Sequence, residues 1–244
     1  LLGSSCQMGQ KNRKSSNKAQ KAERIIAPKF NADSAFLYVA DQVDFGPRVP
    51  GSDEHRKCAI WIIDKLEDYG ANVTSQKFKT RTYDNVTRSG QNIIGSFNPE
   101  AAKRILLMAH WDTRPFADHD DNPDNYNTPI DGANDGASGV GVLLEMARQF
   151  QLKSPKVGVD IVLFDLEDWG PPHEMQITYD EEYWGLGSQY WSQNPHKYGY
   201  TAAFGILLDM VGAKNAEFRR EYHSDREAGF VVDIVWDAAA DLGY

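Results

Sequence analysis

Cysteine is almost absent from this chain of 244 residues, which contains only Cys6 and Cys58. Two cysteines cannot form a disulfide framework, and the sequence has neither a CxxC pair nor a Cys/His finger. Cysteine-ligated metal sites are therefore excluded. Any metal site in this protein must use carboxylate and imidazole ligands.

Basic residues are also scarce relative to acidic ones. The chain has 26 Lys and Arg against 35 Asp and Glu, for a formal net charge of -9. Because this charge repels phosphate backbones, we expect no nucleic-acid partner. Apolar runs of transmembrane length are absent as well. Hydrophobic residues still make up 41% of the chain, which is enough for one globular domain with a single core.

The first residues, LLGSSC, are similar to the end of a lipoprotein signal peptide, in which small residues precede a cysteine that is acylated after cleavage. The polar, lysine-rich segment that follows is typical of a flexible tether. We therefore expect residues 1–24 to be a signal remnant and tether, and residues 25–244 to form the folded domain. The protein is expected to be exported and anchored to a membrane through a lipid on Cys6, in the periplasm or at the cell surface. The alternative is a terminal cysteine without a role.

Segments 33–45 and 53–69 have apolar residues at helical spacing and predict two helices. Segments 71–83 and 91–98 alternate apolar and polar residues and predict strands of an antiparallel region.

Three nearly continuous apolar runs, at 103–112, 159–168 and 202–211, predict strands buried on both faces. The helical pattern at 138–150 supplies a crossover between the first two runs. The expected fold is an α/β three-layer sandwich, with a mixed, centrally parallel sheet flanked by helices.

Each of the three runs ends in residues that bind metals or carry protons, and a further aspartate precedes the crossover helix. Parallel strands place such residues together at the carboxyl edge of the sheet. Carboxylates gathered there would raise one another's pKa unless a cation neutralised them. Carboxylate and imidazole without thiolate are typical of a catalytic zinc site, with manganese and magnesium as alternatives. The six candidates are His110, Asp112, Asp135, Glu167, Asp168 and Asp209.

The loop DGANDGASG, residues 131–139, carries one of these aspartates among three glycines. Gly132 and Gly136 permit backbone conformations closed to other residues, so Asp135 can point toward a metal while the chain enters its helix. A helix-capping role for Asp135 and simple loop flexibility are the ordinary alternatives. A nucleotide loop is excluded because no strand directly precedes it and the Walker lysine is absent.

Seven sequence blocks, in the right order, resemble the zinc-dependent glutaminyl cyclases of the animal type and their bacterial relatives. These cyclases belong to the wider M28-like zinc aminopeptidase superfamily, whose α/β exopeptidase fold the resemblance also implies. The similarity runs from about Phe45 to the end. The blocks are FGPRVPGS (45–52), QNIIGSFNP (91–99), LLMAHWDTR (106–114), GANDGASGVGVLLEMAR (132–148), VLFDLED (162–168), YWGLGSQYW (183–191) and LLDMVGAKN (207–215).

The resemblance implies that Asp135 and Asp168 are zinc ligands, the latter at a position where the animal cyclases have glutamate. His110 and Asp112 resemble the HxD pair of the aminopeptidases and are candidates for a second metal or for supporting the first. The family's third ligand is a histidine far downstream, which we expect beyond Tyr244. The chain is thus expected to be a fragment whose domain is incomplete at the C-terminus.

The implied reaction converts an N-terminal glutamine of a peptide or protein to pyroglutamate and releases ammonia. In that reaction Glu167 is the general acid and base, and Asp209 orients the reacting groups. Two alternatives remain: a metallo-aminopeptidase in which the same glutamate activates a metal-bound water, and a lipoprotein that only binds peptides. Five aromatic residues are candidates to line the pocket or, alternatively, to pack in the core. They are Trp169, Tyr183, Trp184, Tyr190 and Trp191.

Overall fold

The computed structural model describes residues 27–175 and 180–244. Residues 1–24, with Cys6, lie outside the described residues, so the predicted signal remnant and tether stay predictions. Within the described ranges, every helix is too short or too polar to span a bilayer.

Five α-helices, five strands and two short 3-10 helices make up the described fold. The helices are α1 (Ala32–Asp44), α2 (Asp53–Asp68), α3 (Ala137–Leu152), α4 (Leu186–Gln193) and α5 (Tyr222–Asp241). The strands are β1 (Asn72–Arg81), β2 (Thr87–Phe97), β3 (Arg104–His110), β4 (Gly158–Phe164) and β5 (Gly205–Leu207).

Side-chain caps explain where the first two helices begin. The Asn31 side chain accepts a hydrogen bond from the backbone N–H of Ser34, and the Ser52 hydroxyl accepts one from the N–H of His55. Each bond satisfies a donor that the first turn of a helix leaves free. The helix α2 ends before Gly70, which has φ 84. Both predicted helices are confirmed to within one residue.

The strands form one sheet in the order β1-β2-β4-β3-β5. The strand β3 pairs in parallel with β4 and β5, whereas β2 pairs antiparallel with β1 and β4. Every residue of β4 is buried, as expected for a strand covered on both faces. The predicted mixed sheet with a parallel centre is confirmed.

Neighbouring residues of β2 show that the sheet is covered on two sides. Ile93 belongs to a core that includes residues of α1, α2 and α3, whereas Ile94 belongs to a separate core against Trp191 of α4. Successive residues of a strand point to opposite faces, so the two cores lie on opposite sides of the sheet. The fold is therefore a three-layer α/β sandwich.

The third apolar run differs from its prediction. Residues 202–211 form only the short strand β5, and the side chain of Leu207 is 59% exposed. The prediction of a strand buried on both faces is wrong here, because β5 lies at the edge of the sheet and pairs with β3 alone among the described strands.

Candidate metal centre

His110, the last residue of β3, lies at the centre of the acidic residues that the sequence predicted at this edge. Its side chain is buried, and its Nε2 lies 2.9 Å from Asp135 Oδ1 and 3.5 Å from Asp209 Oδ1. Its Nδ1 lies 3.6 Å from Asp112 Oδ1 and 3.9 Å from Glu167 Oε2. Three strand ends and one loop therefore bring these five side chains together, as predicted.

Electrostatics within this group favour a protonated His110 imidazole and an ionised Asp209 carboxylate. Burial alone would lower the pKa of His110, but Asp112, Asp135 and Asp209 together raise it well above its ordinary value. The nearby imidazole in turn holds the pKa of Asp209 below its ordinary value. Positive charge is thus stabilised at this position.

The glycine-rich loop delivers Asp135 to the group because two glycines adopt positive φ, as predicted. Gly132 has φ 58 and Gly136 has φ 92. A Cβ on Gly136 would lie 2.8 Å from the carbonyl oxygen of Asp112, so only glycine fits. The buried Arg48 fixes the start of the loop by donating hydrogen bonds to the carbonyls of Asp131 and Gly132.

Asp112 positions the turn that carries the next two candidates. Its fully buried carboxylate accepts the backbone N–H of Glu167 at 3.1 Å and that of Asp168 at 3.2 Å. The turn begins at Leu166, which has φ 52 and a fully buried side chain. A left-handed leucine persists only where its surroundings hold it, and these contacts supply that support.

A second support of this turn was missed by sequence reasoning. The buried Asp165 accepts hydrogen bonds from the N–H groups of Leu166 and Gln91, and its Oδ1 lies 2.9 Å from His55 Nε2. The His55 ring stacks on Trp111, with ring centroids 4.2 Å apart. An aspartate inside the apolar segment VLFDLED was the available signal, because a buried carboxylate requires a partner.

The ion pair of Arg114 and Asp118 was also missed. The Arg114 Nε and Nη2 donate to the Asp118 carboxylate at 2.7 and 2.5 Å, and Nη1 donates to the Asp168 carbonyl at 3.3 Å. Its Nη1 also lies 3.6 Å from Asp168 Oδ1, and its guanidinium lies 4.8 Å from the ring centroid of Trp184. The i, i+4 spacing of Arg and Asp in RPFAD was the only signal in the sequence.

The surroundings of the two carboxyl groups after β4, Glu167 and Asp168, raise the pKa of both. Burial and then the charges of Asp112, Asp209 and Asp135 raise the pKa of Glu167 to about 7, against a lowering by His110. Burial and then the charge of Asp135 raise the pKa of Asp168 to about 8. Such pKa values arise where like charges converge without a cation between them.

The centre opens into a cavity of about 440 Å³. One part of the cavity wall carries the titratable side chains of His110, Glu167 and Asp209. Apolar side chains form much of the remaining wall. Of the five aromatic candidates, all of which lie in the described part of the chain, Trp191 alone lines this cavity. The apolar lining residues are Met108, Phe164, Trp191 and Leu207.

The residues present fit a divalent metal. Ligand atoms of His110, Asp135 and Asp209 all lie within 4.8 Å of one another. Among the described residues, the buried Asp168 Oδ2 has no hydrogen-bond partner, and the ring nitrogens of His110 lie near carboxylate oxygens without the geometry of a hydrogen bond. Buried polar atoms without partners are rare unless an ion or water satisfies them. Imidazole and carboxylate are ligands that zinc accepts.

The geometry agrees only in part with the predicted ligand pair. Asp135 belongs to the compact group with His110 and Asp209, whereas Asp168 does not. The charge of Asp135 nevertheless raises the pKa of Asp168, so the two carboxylates face the same region.

Two solved structures from Bacteroides thetaiotaomicron resemble this fold closely. A glutaminyl cyclase bound to N-acetylhistamine is 53% identical with a TM-score of 0.88, and the match covers 90% of this chain and 75% of that one. A leucine aminopeptidase precursor is 52% identical with a TM-score of 0.89, covering 91% of this chain and 76% of that one.

Among curated proteins, the glutaminyl-peptide cyclotransferase of Drosophila melanogaster is 26% identical over 189 residues. The match covers 70% of this chain, which spans 46% of that protein. The chain thus spans about half, or less, of the first curated relatives that it matches. Peptidase family M28 matches residues 92–243. Because this match covers more than half of the sequence, the chain belongs to peptidase family M28.

Proposed function

We propose that this protein is a zinc-dependent glutaminyl-peptide cyclotransferase. One observation carries the proposal: the Glu167 carboxyl, whose pKa is raised first of all by burial, lines a cavity beside the group formed by His110, Asp135 and Asp209. A carboxyl group with a pKa near neutrality can both accept and return a proton. The likeness to a solved glutaminyl cyclase supports the choice of reaction.

Zinc would be held by Asp135 and Asp168, with His110 beside them. When bound, zinc supplies Lewis-acid polarisation of the substrate carbonyl. The ion would also neutralise the carboxylates whose repulsion raises the pKa of Asp168.

Glu167 carries the proton in the proposed reaction. The α-amine nitrogen of the substrate attacks the side-chain amide carbon, and the Glu167 carboxylate takes the proton that the amine loses. The same carboxyl then gives this proton to the amide nitrogen, and the C–N bond breaks to release ammonia. Asp209, ionised beside His110, accepts hydrogen bonds from the reacting amine and orients it.

Ring closure joins two groups of one substrate residue, so the protein needs only to hold the reactive conformer. The apolar walls of the cavity suit this purpose because they exclude water from the reacting groups.

An aminopeptidase is the second candidate. The compact group of His110, Asp135 and Asp209 favours it, because the same residues offer ligands to a second metal. In that enzyme Glu167 would activate water and the first peptide bond would be hydrolysed. The likeness to a leucine aminopeptidase precursor supports this alternative.

A single experiment separates the two reactions. The zinc-loaded protein is incubated with peptides that differ only in an N-terminal Gln, Leu or Ala. Cyclisation predicts ammonia and loss of its mass from the Gln peptide alone, with no residue removed. Free amino acid from the Leu or Ala peptide would establish the peptidase instead, and no change in any peptide would contradict both.

We further propose that a lipid on Cys6 attaches the protein to a membrane after export. The LLGSSC segment and the polar stretch after it support this proposal. Replacing Cys6 with Ser should move the protein from the membrane fraction to the soluble fraction. Unchanged fractionation of the variant would contradict the proposal.

A further inference from the structure

Behind the wall of the candidate active-site cavity lies a polar cluster that the proposed reaction does not use. Trp191 of α4 lines the cavity, and its indole N–H donates a hydrogen bond of 3.2 Å to His196 Nδ1. The two rings are nearly parallel, with centroids 6.0 Å apart and an interplanar angle of 22°. The indole N–H of Trp191 is therefore bound by His196, a residue that does not itself line the cavity.

The cluster has a fixed base in the sheet. Asp160 of β4 is fully buried and accepts hydrogen bonds from Arg104 at 2.6 and 2.7 Å, from Ser96 at 2.6 Å and from Tyr200 at 2.9 Å. Its Oδ1 lies 3.8 Å from His196 Nε2. Because its Nδ1 contacts the indole and its Nε2 faces this carboxylate, the His196 ring lies between Trp191 and Asp160. The side chain of His196 is only 8% exposed.

Aromatic packing holds the same two rings. Tyr200 contacts Trp191 edge to face at a centroid distance of 5.4 Å and lies 4.8 Å from the His196 ring. Phe164, another residue of the cavity wall, contacts Trp191 edge to face at 6.0 Å. The indole is thus held by edge-to-face contacts with Tyr200 and Phe164 and by the hydrogen bond to His196, which gives its N–H an acceptor.

We propose that His196 is a positioning residue of the candidate active site, which fixes Trp191 as a cavity wall by accepting its indole N–H. The inference deepens the proposed function and rests on it, because it takes this cavity to be the substrate site. His196 itself touches no reacting group.

The role requires the neutral imidazole with its proton on Nε2. In that tautomer Nδ1 accepts from Trp191 and the Nε2–H faces Asp160. A second proton would occupy Nδ1, where it would oppose the indole N–H, and the hydrogen bond would be lost. Burial lowers the pKa of His196, and Arg104 and Lys197 lower it further, against the opposite effect of Asp160. Among the described residues, these and the Tyr200 hydroxyl are the charged and titratable groups near the ring.

Two variants distinguish positioning from simple packing. In His196→Asn the side-chain oxygen replaces Nδ1 as acceptor without a titratable group, whereas His196→Leu fills the space and leaves the indole N–H without a partner. The exposed His223, replaced with Asn, is the matched control. For Gln-initiated peptides we expect His196→Leu to raise KM by about threefold to tenfold, the range for one lost hydrogen bond, while kcat changes by less than about twofold. His196→Asn should keep the KM of the unaltered protein.

A second readout does not depend on turnover. The fluorescence of Trp191 is isolated as the difference between each protein and the same protein carrying Trp191→Phe, and its quenching by acrylamide is measured. We expect quenching to increase in His196→Leu, and in the unaltered protein when acid protonates His196. It should stay constant with pH in His196→Asn.

If acid leaves the Trp191 quenching of the unaltered protein unchanged while the fold persists, the proposal is overturned, even where His196→Leu fails to fold. It is also overturned if His196→Asn and His196→Leu raise KM equally. If the fluorescence behaves as expected but no Gln peptide is cyclised, the positioning of Trp191 stands and the proposed function is what fails.

Discussion

Two buried aspartates, Asp160 and Asp168, show how partners decide the charge of one residue type. Arg104, Ser96 and Tyr200 donate hydrogen bonds to Asp160 and lower its pKa, although burial opposes them. Burial and the neighbouring carboxylates raise the pKa of Asp168 to about 8. The first environment stabilises a carboxylate by itself, whereas the second requires a cation to do so.

The assignment of Glu167 as proton carrier makes the first prediction. Replacing Glu167 with Gln removes the carboxylate that accepts and returns the proton but keeps the shape of the side chain, so turnover should fall by at least about a hundredfold. Zinc content should stay close to that of the unaltered protein, because Glu167 is not a proposed ligand. Turnover and zinc are measured on the same preparation, with the exposed Glu100 replaced by Gln as control. Full activity in Glu167→Gln would refute the assignment.

The buried ion pair of Asp160 and Arg104 makes the second prediction. Replacing Asp160 with Asn leaves the Arg104 charge buried without its partner, which should lower the free energy of unfolding by about 3 kcal/mol at neutral pH. Replacing Asp84 with Asn weakens a more exposed pair with Arg88 and should cost about 1 kcal/mol or less. Urea unfolding of both variants provides the measurement.

The same pair has a pH dependence of known sign. Because the pKa of Asp160 is lowered in the folded state, its stabilisation is fully present above the unfolded pKa of about 4 and is lost as pH falls through the folded pKa. The difference between the unaltered protein and Asp160→Asn should therefore shrink in acid below this range. A difference that grows on acidification would contradict the assigned charge state.

Among the elements, the start of helix α3 depends most on one residue. Gly136 precedes this helix with φ 92, and a Cβ there would collide with the Asp112 carbonyl at 2.8 Å and approach His110 Cε1 at 3.3 Å. Gly51 has nearly the same angle, φ 93, but no atom lies within 4 Å of its Cβ position. A side chain at Gly51 would therefore meet only the strain of a positive φ, whereas one at Gly136 would meet that strain and a steric clash as well.

Alanine at these two positions makes the third prediction. Gly51→Ala should cost about 1–2 kcal/mol from the positive φ alone. Gly136→Ala should cost about 1–3 kcal/mol more, because the added methyl group must displace the Asp112 carbonyl or the His110 ring. It should also weaken zinc binding, unlike Gly51→Ala. Urea unfolding measures the loss of stability and zinc titration the loss of binding. If Gly136→Ala and Gly51→Ala lose equal stability, the neighbours of Gly136 can move aside at no cost, which would contradict the prediction.

The elements also show what the sequence could predict. The positions of α1, α2, β3 and β4 follow from local periodicity, and the gathering of His110 with its acidic neighbours follows from strands that end at one edge. The contact of His55 with Asp165 could not be predicted in this way, because it joins residues 110 positions apart. Local patterns contain no information on which distant side chain supports a turn.

Edge position was the other property that local patterns could not supply. The run at 202–211 is as apolar as those of β3 and β4, yet β5 lies at the edge of the sheet and has three residues. The order of strands, not their composition, decides which of them is covered on both faces.

At the scale of the whole molecule, two cores on opposite faces of one sheet determine where the site forms. The strands β3 and β4 lie between these cores, so their ends are the rigid points from which His110 and Glu167 project. The loop before α3 and the end of β5 add Asp135 and Asp209. Membership of peptidase family M28, shown over residues 92–243, is consistent with a metal at this position.

The central claim is that this acidic edge holds zinc, and anomalous X-ray scattering at the zinc absorption edge tests it most directly. Crystals of the protein grown with zinc should show an anomalous peak beside the carboxylate of Asp135, next to His110 and Asp168. A protein that takes up zinc only at other positions, or shows no peak while these carboxylates bind separate partners, would contradict the account.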